Sequence, residues 1–242
     1  MKKSFWSGFT LNEALIAVAI VGIVAALTVP NVVSNYQRKA FALAAKKNYT
    51  TIQESLAELQ TVNYRNKSMY GTVLHQQDGE DLADNVGKFL TEYFKVNKDC
   101  GETAQPCFAT TYRSINSGTQ TAFSCSGYSV SISNGAAICM IPATVSIKHL
   151  MGSADTPAQD VEVKRPVTVY IDTNGVDAPN IGGRDMFMFK IYEDFSIDEF
   201  SPDDIKNATA NRDTYFNNNC KTSYLGQGCF SRLISNKWEM DY

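Results

Sequence analysis

Three sets of residues in this chain have the types and spacing to do chemistry. The first is a run of oxygen ligands. From Asp172 the sequence reads Asp-Thr-Asn-Gly-Val-Asp-Ala-Pro-Asn-Ile-Gly-Gly-Arg-Asp, so Asp172, Asn174, Asp177, Asn180 and Asp185 bring carboxylates and amides into one short segment. Hard oxygen donors of this kind suit calcium. The segment is not an EF-hand, because Gly175 directly follows Asn174 and Gly183 stands where that loop needs its glutamate. Asp, Asn, Gly and Pro are also the principal turn formers, so a turn-rich hairpin loop is the competing reading. The second set is six cysteines, spaced Cys100-x6-Cys107, Cys125-x13-Cys139 and Cys220-x8-Cys229. There is no CxxC, and His75 and His149 are far apart, which argues against zinc and for disulfides. Many connectivities are open to six cysteines. The consecutive pairs Cys100–Cys107, Cys125–Cys139 and Cys220–Cys229 are favoured. The third is a single acid, Glu13, at the start of a long apolar run. No GxSxG, HExxH or Walker loop occurs, and no catalytic set stands out, so the chain is not expected to be an enzyme.

Composition narrows the classes further. The chain has 242 residues, 44% of them hydrophobic, and a formal net charge of −3. That balance carries no basic footprint, so nucleic acid is not expected as a main partner. All six cysteines follow the apolar run, as in a domain exposed to an oxidising compartment. Beyond the N-terminal helix roughly 180 residues remain, enough for one domain with a real core.

The elements that position these residues follow from periodicity. Phe9 to Val29 is apolar for about 21 residues, or about 31 Å as a helix, close to one bilayer core. Lys2 and Lys3 precede it and predict an N-terminus on the cytoplasmic side. Beyond Pro30 the stripe Phe41, Ala45, Ile52, Leu56 and Leu59 continues a helix to about Gln60, with a kink expected near the proline. A second helix is predicted from Asp81 to about Lys98, with Leu82, Val86, Phe89, Leu90, Tyr93 and Phe94 on one face. Tyr128–Ile132 alternates as a strand, Asn134-Gly135 is a hairpin turn, and Ala136–Met140 returns. Val145–Ile147 is a further short strand, and 151–159 a loop. Val167–Ile171 and Met186–Ile191 are the strongest strands, an antiparallel pair joined by the Asp172–Asp185 loop. Cys229–Ile234 is a short helix, and Trp238 and Tyr242 are placed to dock on the core.

The N-terminus carries one more signal. Ordinary secretory signals have h-regions of about 7–15 residues and an Ala-x-Ala-like site at the far end, whereas the apolar run here is longer and Leu27-Thr28-Val29-Pro30 is a poor cleavage site. A plain anchor leaves Glu13 unexplained, since an acid in a membrane span costs free energy. Lys2, Lys3, Gly8, Phe9, Thr10-Leu11, then Glu13 and Pro30 together resemble the class III signal of type IV prepilins and type II secretion pseudopilins. That resemblance implies cleavage after Gly8 by a membrane prepilin peptidase and N-methylation of Phe9. It gives Glu13 a role in subunit register, paired with the Phe9 amine of a neighbour. Asn12 departs from the aliphatic residue common at that place. The Asp-x-Asn-Gly, Pro-Asn and Gly-Arg-Asp-x-Phe order is also similar to a C-terminal sheet segment of pilin-like proteins, and major pseudopilins hold calcium in a loop of that sheet, with different spacing.

The expected architecture is an α+β, pilin-like chain: a leader over 1–8, a long helix over 9–60 that crosses the membrane over 9–29, and a disulfide-bonded head over 61–242 built on an antiparallel sheet. The expected function is a structural subunit, major or minor pilin or pseudopilin, of a type IV pilus or type II secretion pseudopilus. Its partners would be copies of itself and other pilins, the prepilin peptidase, and an assembly platform and ATPase at the inner membrane. A different class, a membrane-anchored extracytoplasmic binding protein or hydrolase using the N-terminus only as a tether, is the alternative.

Overall fold

The computed structural model describes residues 10–62, 68–77, 79–150, 159–207 and 211–242. Gly8 and Phe9 lie outside them, as does 151–158 of the predicted loop. The chain falls into two compact units, Met1–Ala40 and Phe41–Tyr242.

Helix α1 (Leu11–Val62) contributes to both units and runs on through Pro30. Over 14–29 it is apolar on every side and open to solvent, with Val18 72% and Leu27 70% exposed. A helix of that kind needs lipid or protein around it. Among the described residues it is the one helix long and apolar enough to cross a membrane.

The second unit is α+β. A six-stranded antiparallel sheet has the order β1 (Val96–Gly101), β4 (Tyr128–Ile132), β5 (Ala137–Ile141), β8 (Val167–Asp172), β9 (Met186–Ile191) and β10 (Ile197–Asp198). Two ribbons accompany it: β2 (Thr111–Tyr112) with β3 (Thr121–Ala122), and β6 (Thr144–Leu150) with β7 (Gln159–Arg165). The helices are α2 (Lys88–Tyr93), α3 (Pro202–Lys206), α4 (Arg212–Tyr215) and α5 (Cys229–Ser235).

Strand alternation sorts the core. Successive side chains on a strand face opposite ways. Ala136, Ile138 and Met140 join the cluster that holds Ala42, Ala45, Ile52, Leu56 and Leu59 of α1. Ala137 and Cys139 turn to a second cluster with Phe108, Tyr112 and Phe123. The central strands are therefore buried on both faces and read as apolar runs. Gly135 takes φ +92° in the β4–β5 turn, where glycine is needed. Asn134 beside it donates 2.8 Å to Oδ1 of buried Asn48 on α1.

Two sequence expectations change. The predicted helix over 81–98 is a π turn at Ala83–Gly87 followed by α2, which stops at Tyr93. Phe94 is extended, and the chain enters β1 at Val96. Asp81 does not cap it with its side chain; residue 81 accepts from the Asp84 N–H through its backbone carbonyl. Apolar periodicity described the face correctly, but strand pairing with β4 overrode it after Tyr93. The short strand expected over 145–147 is the seven-residue β6, paired with β7. The segment carrying β7, Gln-Asp-Val-Glu-Val-Lys-Arg, has too few apolar residues to be found from pattern alone.

Candidate functional site

Thr10 and Glu13 form a reciprocal cap at the start of α1. The Thr10 N–H donates 2.9 Å and its hydroxyl 2.7 Å to Oε2 of Glu13, and the Glu13 N–H donates 3.3 Å to Oγ1 of Thr10. This is the Thr-x-x-Glu capping box, which satisfies amides that the first helical turn leaves open. It also puts a carboxylate at the positive end of the helix dipole. Glu13 is thus held by its own chain. The three-residue spacing of Thr10 and Glu13 is visible in the sequence, but their pairing as a cap is settled by the helix start.

The Asp172–Asp185 segment is organised around two fully buried acids. Asp172 closes β8 and Asp185 immediately precedes β9. The Tyr112 hydroxyl donates 2.5 Å to Asp172 Oδ2, and the Asn174 N–H donates 3.1 Å to Oδ1. The N–H groups of Asn180 and Ile181 each donate 2.7 Å to Asp185, one to either oxygen. Asn174 points its amide nitrogen at the carbonyls of Asp177 and Ala178, 2.7 and 3.0 Å away. Asn180 takes φ +54°, a conformation asparagine tolerates better than most residues. Gly183 is required by contact: a Cβ there would lie 2.3 Å from Sγ of Cys229.

Of the five candidate calcium ligands, the structure brings Asp172 and Asp185 near enough to interact electrostatically, whereas Asp177 is exposed at the tip. All four carboxylate oxygens of the buried pair accept hydrogen bonds from protein donors. Oδ1 of Asn174 and of Asn180 are buried without a donor. Among the described residues, no three Asp, Glu, His or Cys side chains converge as a metal-holding group. The hydrogen bonds to these carboxylates brace the segment as a turn.

Burial sets the protonation of the pair. Asp172 is pushed up to about 8 by burial and then by the nearby charge of Asp185, against its hydrogen bonds from Tyr112 and the backbone. Asp185 is pushed up to about 6 by burial, with the amides of Ile181 and Asn180 pulling the other way. Tyr112 keeps its proton, because burial and Asp172 both oppose phenolate. No local pattern in the sequence marks Tyr112 as the partner of Asp172.

A third buried acid, Glu199, accepts from the N–H groups of Gly228 and Ser231 at 2.5 and 2.7 Å. It caps α5 from a distant part of the chain, since the N-cap Gly228 has no side chain to do so. Burial pushes its carboxyl up to about 7. The neighbouring Asp198 is gripped by both terminal nitrogens of Arg212, at 2.9 and 2.6 Å.

The disulfides are Cys100–Cys107, Cys125–Cys139 and Cys220–Cys229, and no cysteine is free among the described residues. An open groove of about 660 Å³ lies between Ser68, Tyr70, Lys164, Tyr192, Glu193 and Asp203. Within it Lys164 lies 3.3 Å from Glu193 and 5.0 Å above the Tyr70 ring. No protein-family model, curated protein or solved structure matches this chain.

Proposed function

We propose that this chain is a pilin-like structural subunit of a type IV pilus or a type II secretion pseudopilus. The observation that carries the reading is the start of α1: an exposed apolar stretch over 14–29, preceded by one acid held in a Thr-x-x-Glu cap that begins two residues after Gly8. A disulfide-bonded α+β head following that helix supports the same reading.

The mechanism is staged. The precursor inserts in the inner membrane with Lys2 and Lys3 on the cytoplasmic side. Prepilin peptidase cleaves after Gly8 and methylates the Phe9 amine. The platform protein and its ATPase then move the helix from lipid into a bundle with other pilins. Apolar faces exchange lipid for protein, so the transfer costs little hydrophobic free energy. Glu13 exchanges its donors from Thr10 for the charged Phe9 amine of the neighbouring copy, which matches the two buried charges and selects the register.

Mass spectrometry of the mature chain tests this. An N-methylated Phe9 terminus is expected. An intact Met1 in cells with active prepilin peptidase leaves only the tether reading, in which the helix anchors a binding protein or hydrolase.

A further inference from the structure

The open groove of about 660 Å³ in the second unit is walled by rings and edged by carboxylates. Tyr70 and Tyr192 supply aromatic faces, and Pro166 and Pro202 aliphatic ones. Both phenols are tied back to the backbone. Tyr192 donates 3.1 Å to the Glu199 carbonyl, and Tyr70 3.4 Å to that of Arg165. The Met69 N–H donates 3.1 Å to the Glu193 carbonyl, which joins the 68–70 wall to the turn that follows β9. The walls are therefore held by the fold before anything binds.

The chain itself shows what this chemistry holds. The Lys164 ammonium, on β7, lies 5.0 Å over the Tyr70 ring and 3.3 Å from Glu193. The Ser68 hydroxyl donates 2.9 Å to the same carboxylate and steadies it. A cation over a ring and beside a carboxylate is attracted by both. Tyr192, Asp194 and Asp203 line the rest of the groove and offer a ring and carboxylates again. Among the described residues, no ion pair includes Asp194 or Asp203, and no lysine or arginine lies over the Tyr192 ring. The lining thus sets three acids, Glu193, Asp194 and Asp203, against one base, Lys164. The negative field reaches both phenols. Burial, then the charges of Glu193 and Glu162, push the Tyr70 hydroxyl up, and burial, then Asp198, Asp204 and Glu199, push up that of Tyr192.

We propose that this groove docks an extended basic segment of a partner protein, with one lysine or arginine side chain received between the Tyr192 ring and the carboxylates of Asp194 and Asp203. The aliphatic stem of that side chain packs on Pro202, as long cationic side chains do on apolar surface. A small-molecule site encloses most of its ligand, whereas this groove is open and suits a chain laid across it. The inference goes beyond the filament reading and does not depend on it, because every lining residue belongs to the head.

Fluorescence anisotropy with the full chain in an uncharged detergent tests the site. The probe is a labelled eight-residue peptide of alternating lysine and proline, compared with peptides carrying serine or glutamate in place of lysine. The lysine peptide is expected to bind and the other two to fail. Asp194→Asn with Asp203→Asn should weaken it roughly fivefold, and Tyr192→Leu roughly threefold, while Tyr192→Phe keeps the ring and the affinity. Glu54→Gln with Glu58→Gln removes the same charge from the exposed face of α1 and should change nothing. Melting temperatures of all variants are read alongside; if Tyr192→Leu fails to fold, the asparagine pair decides. Equal binding of the serine peptide, or equal loss in the α1 control, overturns the proposal. Displacement by maltoheptaose, an uncharged chain that stacks on tyrosine, makes the groove a saccharide cleft and overturns it too. Displacement by spermine at the concentration of the peptide shows that a small polycation suffices and removes the extended segment.

Discussion

The hydroxyl of Tyr112 donates 2.5 Å to Oδ2 of Asp172, across 60 residues of sequence, and ties the short β2–β3 ribbon to the end of β8. Both partners are fully buried. Tyr112→Phe leaves the Asp172 carboxyl short of its side-chain donor in an apolar setting. The expected cost is about 1–3 kcal/mol of head stability, read as a lower denaturant midpoint for the full chain in detergent.

Stability should fall as pH rises from about 5 to about 8.5, because Asp172, Asp185 and Glu199 are held up to about 8, 6 and 7. The sign follows from linkage. A carboxyl raised in the folded state binds its proton more tightly there than in the unfolded chain. Its contribution is fully present below the unfolded value of about 4 and is lost as pH passes the folded value. Asp172→Asn should flatten the upper part of the curve. A melting temperature that climbs across this window contradicts the assignment.

Glu199→Ala removes the acceptor for two amides at the start of α5, whose Cys229 and Phe230 are buried. The loss should be about 2 kcal/mol, with Glu199→Gln costing clearly less because it keeps one acceptor. Hydrogen exchange at the Ser231 amide should accelerate in the alanine variant before the sheet is affected.

Replacing Cys125 and Cys139 together by alanine should cost about 2–4 kcal/mol. The bridge ties the middle of β5 to the segment entering β4, its ends separated by 14 positions in the sequence. Unfolding midpoints under oxidising conditions check this, since the other two bridges stay intact.

Calcium should leave the melting temperature of the full chain within about 1 °C, because the buried carboxylates already have protein donors. A rise with millimolar calcium that disappears in Asp172→Ala would instead place a metal among these residues.

How much of this was legible depends on the range of the interaction. The apolar run of α1, the Thr10–Glu13 spacing, the Asn134-Gly135 turn and the strand pair Val167–Ile171 with Met186–Ile191 are all local. Each is specified by side-chain periodicity, a cap or a turn within a few residues, and each is present in the fold. The three disulfides also join cysteines that are consecutive along the chain.

Tertiary structure decided what no short window contains. It placed β8 beside β5 across the inserted β6–β7 ribbon, and it stopped the second helix at Tyr93 so that β1 could pair with β4. It gave Asp172 its Tyr112 donor and set Glu199 at the N-terminus of α5. In the sequence, the carboxylates and amides from Asp172 to Asp185 serve a metal and a turn equally well. The fold buries both acids and surrounds their oxygens with N–H and O–H donors, which brace the segment as a turn. Chemical type is a property of each residue, but its partner is set by which distant surfaces must be buried together, and that is a property of the whole core.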